Sequence, residues 1–209
     1  MSWIERPPAF FRALVPGGIF RVGGRRGEET PRIYLTFDDG PIPEVTPWVL
    51  DILDRYGVKA TFFMVADNAR RYPELLEEVR ARGHDVGNHT FHHLQGARVP
   101  TRRYLRDISE ADALLQTSLF RPPHGWLRPR QARALARRFK IVMYDLVTRD
   151  YSRRLDAERV FGNVRRYARP GSVIVFHDSL KSWPRLQQAL PRSIEWLLEQ
   201  GYIFSKFDK

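Results

Sequence analysis

Ile33-Tyr34-Leu35-Thr36-Phe37-Asp38-Asp39-Gly40-Pro41 opens as a β-branched and aromatic run and ends on two carboxylates, a glycine and a proline. Such a run, closed by turn residues, reads as a buried strand. Asp38 and Asp39 then emerge at its C-terminal end, where parallel α/β proteins build their sites. Asp, Gly and Pro are also ordinary turn residues. A turn needs only one carboxylate, however, and two adjacent ones repel.

Runs of the same kind recur at Ala60–Val65, Ile141–Tyr144 and Val173–Phe176, with shorter candidates at Asp85–Gly87, Leu119–Phe120 and Tyr202–Phe204. Helical patterns lie between them. Thr46-Pro47 opens one as N-cap and first helical residue, with Trp48, Val49, Ile52 and Leu53 inward. Pro73 opens another, through Leu75, Leu76 and Val79 to a stop at Gly83. A third carries Leu105, Ile108, Ala111, Leu114 and Leu115, and others cover 129–138, 156–168 and 191–200. Strands alternating with helices require crossover connections and hence a parallel sheet. About seven such units in 209 residues predict one α/β domain with barrel-like closure.

The polar stretch Gly23–Glu29 reads as a joint. It divides the chain into an N-terminal arm, residues 1–30, packed on a domain of residues 31–209. The arm is rich in Trp, Phe, Leu and Ile, so the alternative is that it lies on a membrane surface; its Pro and Gly rule out the long amphipathic helix this requires. Glu5, Arg6 and Arg12 interrupt any secretory signal, and no stretch approaches the ~20 apolar residues of a membrane span. The expectation is a cytoplasmic or peripherally membrane-associated protein, and a monomer.

Cysteine is absent, which excludes disulfides, thiolate-ligated zinc and a thiol nucleophile. Net charge is +11, and only five of the 35 basic residues are lysine. That balance favours encounter with an anionic surface or polymer. No RNA-binding or zinc-finger signature accompanies it, so specific nucleic-acid recognition is not expected.

All six histidines fall between His84 and His177. In His89-Thr90-Phe91-His92-His93 the first and last stand four apart, so on a helix they share a face and bind one metal. His92 competes for the same role, and spacing does not choose. An Asp plus two His leave a coordination position for water, which marks catalytic rather than structural zinc. Asp38 would then be a carboxylate placed to take that water's proton. Further along, Arg121-Pro122-Pro123-His124-Gly125 holds an Arg and a backbone N–H in a rigid loop. His177-Asp178 ends the run Val173–Phe176, and Asp150 follows Thr148-Arg149 past another strand. The chemistry implied is metal-assisted hydrolysis.

These five stretches, in this order from about Ile33 to Tyr202, resemble the motifs of the polysaccharide deacetylase family, whose shared domain is the NodB-homology domain. The resemblance implies a distorted (β/α) barrel of about seven parallel strands. It implies removal of acetyl groups from an acylated glycan with a divalent metal, zinc first and cobalt, nickel or manganese as alternatives. Carried over position by position, Asp39, His89 and His93 look like the metal ligands, Asp38 the general base and His177 the general acid. Arg121 resembles the residue that holds the base, and Asp150 the partner of the acid histidine. The His124 N–H would face the oxyanion.

Three positions depart from the family pattern. His124 stands where a large aromatic is usual, Tyr151 where Trp is usual and Val175 where Leu is usual; an Asp often found near Val147 is absent. In the family these three side chains contact the acyl group, so a roomier, more polar pocket is implied. Two other readings compete. One is a catalytically silent, glycan-binding family member. The other is a basic protein that binds nucleic acid or an anionic surface, using the barrel as scaffold.

Overall fold

The computed structural model describes residues 5–23 and 31–207. Apart from Gly23, the expected joint lies outside these residues. Elements run in the order α1 (Ala9–Ala13), β1 (Arg32–Asp38), α2 (Thr46–Arg55), β2 (Thr61–Met64), α3 (Ala66–Arg71), α4 (Pro73–Ala81) and β3 (Asp85–Asn88). The second half continues with α5 (Thr101–Leu115), β4 (Leu119–Phe120), α6 (Pro129–Leu135), β5 (Lys140–Ile141), β6 (Leu146–Val147), α7 (Ala157–Tyr167), β7 (Val173–His177), α8 (Trp183–Glu199) and β8 (Ile203–Phe204).

Seven strands form one path, β5-β4-β3-β2-β1-β7-β6, with β8 pairing the start of β1. Every pairing is parallel, and β1 lies between β2 and β7 with Asp38 opposite Phe63 and His177. The path is a seven-strand barrel opened at one seam, between β5 and β6. The expected distorted barrel is therefore the fold found.

Side-chain alternation divides each strand between two layers. Leu35, Phe37, Phe62, Ile174 and Phe176 face outward into the large cluster shared with α2, α7 and α8. Tyr34, Phe63, Leu119, Val142 and Val173 make a separate cluster with Phe207. A third cluster takes Phe11, Val15 and Phe20 of the arm together with residues of α5, α6 and β5.

Three elements differ from expectation. The run Ile141–Tyr144 contributes only its first residue to β5, and a further short strand, β6, follows at Leu146–Val147. The helix expected at 191–200 begins at Trp183 and carries Pro191 in its interior. An interior proline removes a hydrogen bond and costs about 3 kcal/mol. Burial of Leu186, Ala189, Leu190, Ile194 and Leu197 along one face offsets that. The short helix α3 carries no long apolar stripe by which periodicity would find it.

Candidate active site

Asp38 is the last residue of β1, and Asp39 follows with φ 82. Non-glycine residues seldom adopt that conformation, and where they do a functional constraint is common. The turn is held from behind by Asp178. One of its carboxylate oxygens accepts the Gly40 N–H at 3.1 Å and the other the Thr46 hydroxyl at 2.7 Å. Gly40 is required there, because a Cβ would overlap the Asp178 carboxylate. Asn68 completes the hold by donating to the Asp39 carbonyl at 2.9 Å.

His89 and His93 share no helix. They lie in the loop after β3, where Thr90 (φ 67) and His93 (φ 54) are left-handed. The expected helical face is replaced by a loop that bends back and brings the two rings to 5.2 Å. Asp107 of α5 fixes that loop by accepting the Phe91 and His92 amides at 2.8 and 3.1 Å. The same carboxylate takes the His92 ring at 2.6 Å, which turns His92 away from Asp39. Ligand atoms of Asp39, His89 and His93 all lie within 4.8 Å of one another, with His93 Nε2 at 3.1 Å and His89 Nε2 at 3.7 Å from Asp39 Oδ1.

The donor set fits a divalent cation. His89 Nδ1 meets the Arg121 carbonyl at 2.8 Å, which places its proton on that side and leaves Nε2 free to ligate. Burial lowers His89 to about 4, so the ring is neutral. Burial alone would raise Asp39, but the hydrogen bond from His93 and the charges of His177 and His89 hold it below the usual carboxylate range. Neutral imidazole and ionised carboxylate are the states a metal requires.

Arg121 enters the barrel from the loop after β4 and is only 3% exposed. It donates to Asp38 at 2.6 Å and Thr36 at 2.7 Å, and to the Val142 and Met143 carbonyls at 3.2 and 2.9 Å. The face of Phe63 lies 4.1 Å from the guanidinium carbon. Asp38 thus has one fixed orientation. Opposite it, His177 closes β7. Asp150 accepts its Nδ1 at 2.8 Å and its backbone amide at 2.7 Å. Burial would lower His177, but Asp150, with Asp39 and Asp38 behind it, raises it to about 9.

All ten residues singled out in the sequence meet here; nine line one cleft of about 580 Å³, and Asp150 stands behind His177. His124 is exposed, left-handed at φ 60, and 4.9 Å ring to ring from His93. Tyr151 stands edge-on to His177 at 4.9 Å, and Val175 points inward from β7. Sequence reasoning missed Asp107 and Asn68, and gave Asp178 no role. An acid on the apolar stripe Tyr104, Ile108, Ala111 and Leu115 of α5 was the available signal for Asp107. It also missed the rest of the wall: Pro8, Phe10 and Phe11 of the arm, Trp126, Met143, Tyr144 and Lys181.

The family model described as polysaccharide deacetylase matches residues 25–144. A peptidoglycan-N-acetylglucosamine deacetylase of Bacillus cereus is 35% identical over 154 residues, 70% of this chain and 56% of that protein's length. A chitooligosaccharide deacetylase of Sinorhizobium fredii is 35% identical over 163 residues, 74% of this chain and 75% of its own. Among solved structures, the Bc1960 peptidoglycan N-acetylglucosamine deacetylase superposes with a TM-score of 0.81 at 28% identity, over 98% of this chain and 93% of that one. With that match across more than half the chain, and the same barrel in its neighbour, the chain belongs to the polysaccharide deacetylase family.

Proposed function

We propose that the chain is a metal-dependent deacylase that removes acetyl or a related acyl group from an N- or O-acylated glycan of the peptidoglycan or chitooligosaccharide kind. The observation that carries this reading is the convergence of Asp39, His89 and His93 on one point, in a cleft that Asp38 and His177 also line. Relatives bearing those activities support it. A divalent ion held by the triad, zinc by the preference of one carboxylate and two imidazoles, would lower the pKa of water and polarise the acyl carbonyl.

The chain's own residues divide the proton work. Asp38, fixed by Arg121, accepts a proton from water as the water oxygen bonds to the acyl carbon. The His124 N–H would serve the oxygen on which charge develops. The neighbouring amides of Gly125 and Trp126 turn back to the Pro122 and Pro123 carbonyls, which sets the loop. As the bond from the acyl carbon to the sugar nitrogen or oxygen breaks, His177 gives its proton to that atom, and Asp150 holds the resulting neutral ring.

Metal content and acetate release across a panel of acetylated glycans test this together. His93→Ala is expected to abolish stoichiometric metal and activity, while Asp38→Asn keeps the metal and loses about 10²–10⁴-fold in rate. If His92→Ala abolishes both and His93→Ala neither, the ligand assignment is wrong. Bound metal with no acyl release from any glycan would leave the silent, glycan-binding reading.

A further inference from the structure

Strands β5 and β6 are the two ends of the sheet path, and the arm occupies the seam between them. Ile19 donates its amide to the Ile141 carbonyl and accepts that of Met143, both at 2.8 Å, on the β5 side. On the β6 side the Val147 amide donates to the Glu5 carbonyl at 2.9 Å. Side chains fasten the same segment. Arg12 reaches the fully buried Asp145 at 3.1 Å, and Arg149 pairs with Glu5 at 2.7 Å. Phe11 and Val15 sink into the cluster below.

This placement puts Pro8, Phe10 and Phe11 into the wall of the catalytic cleft, beside the seam residues Met143, Tyr144 and Val147. Trp126 extends the surface from the other loop, edge-on to Phe11 at 5.2 Å. The wall is apolar and partly open to solvent: Phe10 is 61% and Trp126 46% exposed. The ionisable floor of the cleft, Asp38, Asp39, His89, His93 and His177, stands apart from it in character.

A carbonyl carbon placed between Asp38 and His177 sends its two substituents in different directions. The sugar carries hydroxyls that need water or polar partners. The alkyl part of the acyl group needs neither and gains from apolar contact, about fourfold in affinity per methylene buried. We propose that the arm-built wall of Phe10, Phe11, Met143, Tyr144 and Trp126 is an acyl subsite, and that it selects glycans whose acyl group is longer and more apolar than acetyl. This rests on the deacylase reading above. This wall is distinct from His124, Tyr151 and Val175, the positions from which a more polar pocket was expected, and shares one cleft with them.

The test uses the metal-loaded enzyme and chitobiose carrying N-acetyl, N-propionyl, N-butyryl or N-hexanoyl groups. In parallel, acetate, butyrate and hexanoate binding is followed by Trp fluorescence. Expected is a kcat/KM that rises along the series, with hexanoate bound more tightly than acetate. Phe10 is largely exposed, so Phe10→Ala should fold; it is expected to lose about tenfold more on the hexanoyl than on the acetyl substrate. Acetyl as the best substrate, with Phe10→Ala lowering all four equally, would overturn the subsite and leave the deacylase reading intact. No turnover of any member would fail the deacylase reading instead, and the carboxylate affinities alone would then decide the subsite.

Discussion

A general acid must carry its proton at the working pH, and an ordinary imidazole is largely neutral above pH 7. His177 escapes that limit because Asp150 sits 2.8 Å from its Nδ1 and outweighs the effect of burial, which lifts it to about 9. The raised value has a definite sign. Charged His177 stabilises the folded chain fully below its unfolded value of about 6.5, and that contribution is lost as pH rises through about 9. Activity that needs the protonated ring should likewise fall on the alkaline side. Asp150→Asn removes the charge that holds the proton, so the alkaline limb of kcat is expected to move down by at least about one pH unit. A cation at the triad lowers the limb in both proteins, so the displacement between them is the quantity to read. If the limb stays in place at equal metal content, His177 is not the acid. The positions of Asp38 and His177 were legible because each closes an apolar run and so stands at a strand end. The conformations were not. Asp39, Thr90 and His93 are non-glycine residues at positive φ, and the exclusion of His92 depends on Asp107, which no local pattern around the histidines announces.

Among the elements, those with a long period were readable. Strands β1 and β7 are continuous apolar runs, and α2, α4, α5 and α7 each carry an apolar stripe. The failures share a cause: two-residue strands such as β6 are defined by the neighbours they pair with, not by their own sequence. The helix expected at 191–200 begins eight residues earlier, because burial along one face carries it through Pro191, where local propensity alone would not. That the arm packs on the domain was expected; which residues hold it was not legible. Its attachment centres on Asp145, where Arg169 donates at 2.8 and 2.5 Å, Ser172 at 2.7 Å and Arg12 at 3.1 Å. The arginines are partly solvated, so removing the acid leaves them access to water and strands mainly the Ser172 hydroxyl. Asp145→Ala is expected to lower stability by about 1–3 kcal/mol and to speed proteolytic cleavage in the arm before the barrel is cut. Denaturant midpoints and timed digestion measure both. An unchanged arm with a lowered midpoint would show that Phe11, Val15 and Phe20 hold it without the ion cluster.

At the scale of the molecule the charge is the feature that local structure does not use up. The chain carries +11, and no helix among the described residues is long and apolar enough to cross a membrane. Several arginines are engaged in local pairs, such as Arg82 with Asp51, Asp54 and Glu78, but the excess of base over acid remains. Composition made that excess legible at once. The substrate stayed illegible, because the cleft walls are assembled from the arm and from loops more than a hundred residues further on. A basic surface acts on encounter and not on the bond-breaking step, through fields that salt screens over about 10 Å at 0.1 M. Lys181, at the cleft, is one of the cations an anionic polymer would meet. On an acylated anionic glycan, kcat/KM is therefore expected to fall about tenfold or more between 50 and 500 mM salt while kcat stays constant. On neutral chitooligosaccharides both should be flat. Equal salt dependence on the two substrates would mean that salt acts on the protein itself, and the charge would have no part in selecting what the cleft receives.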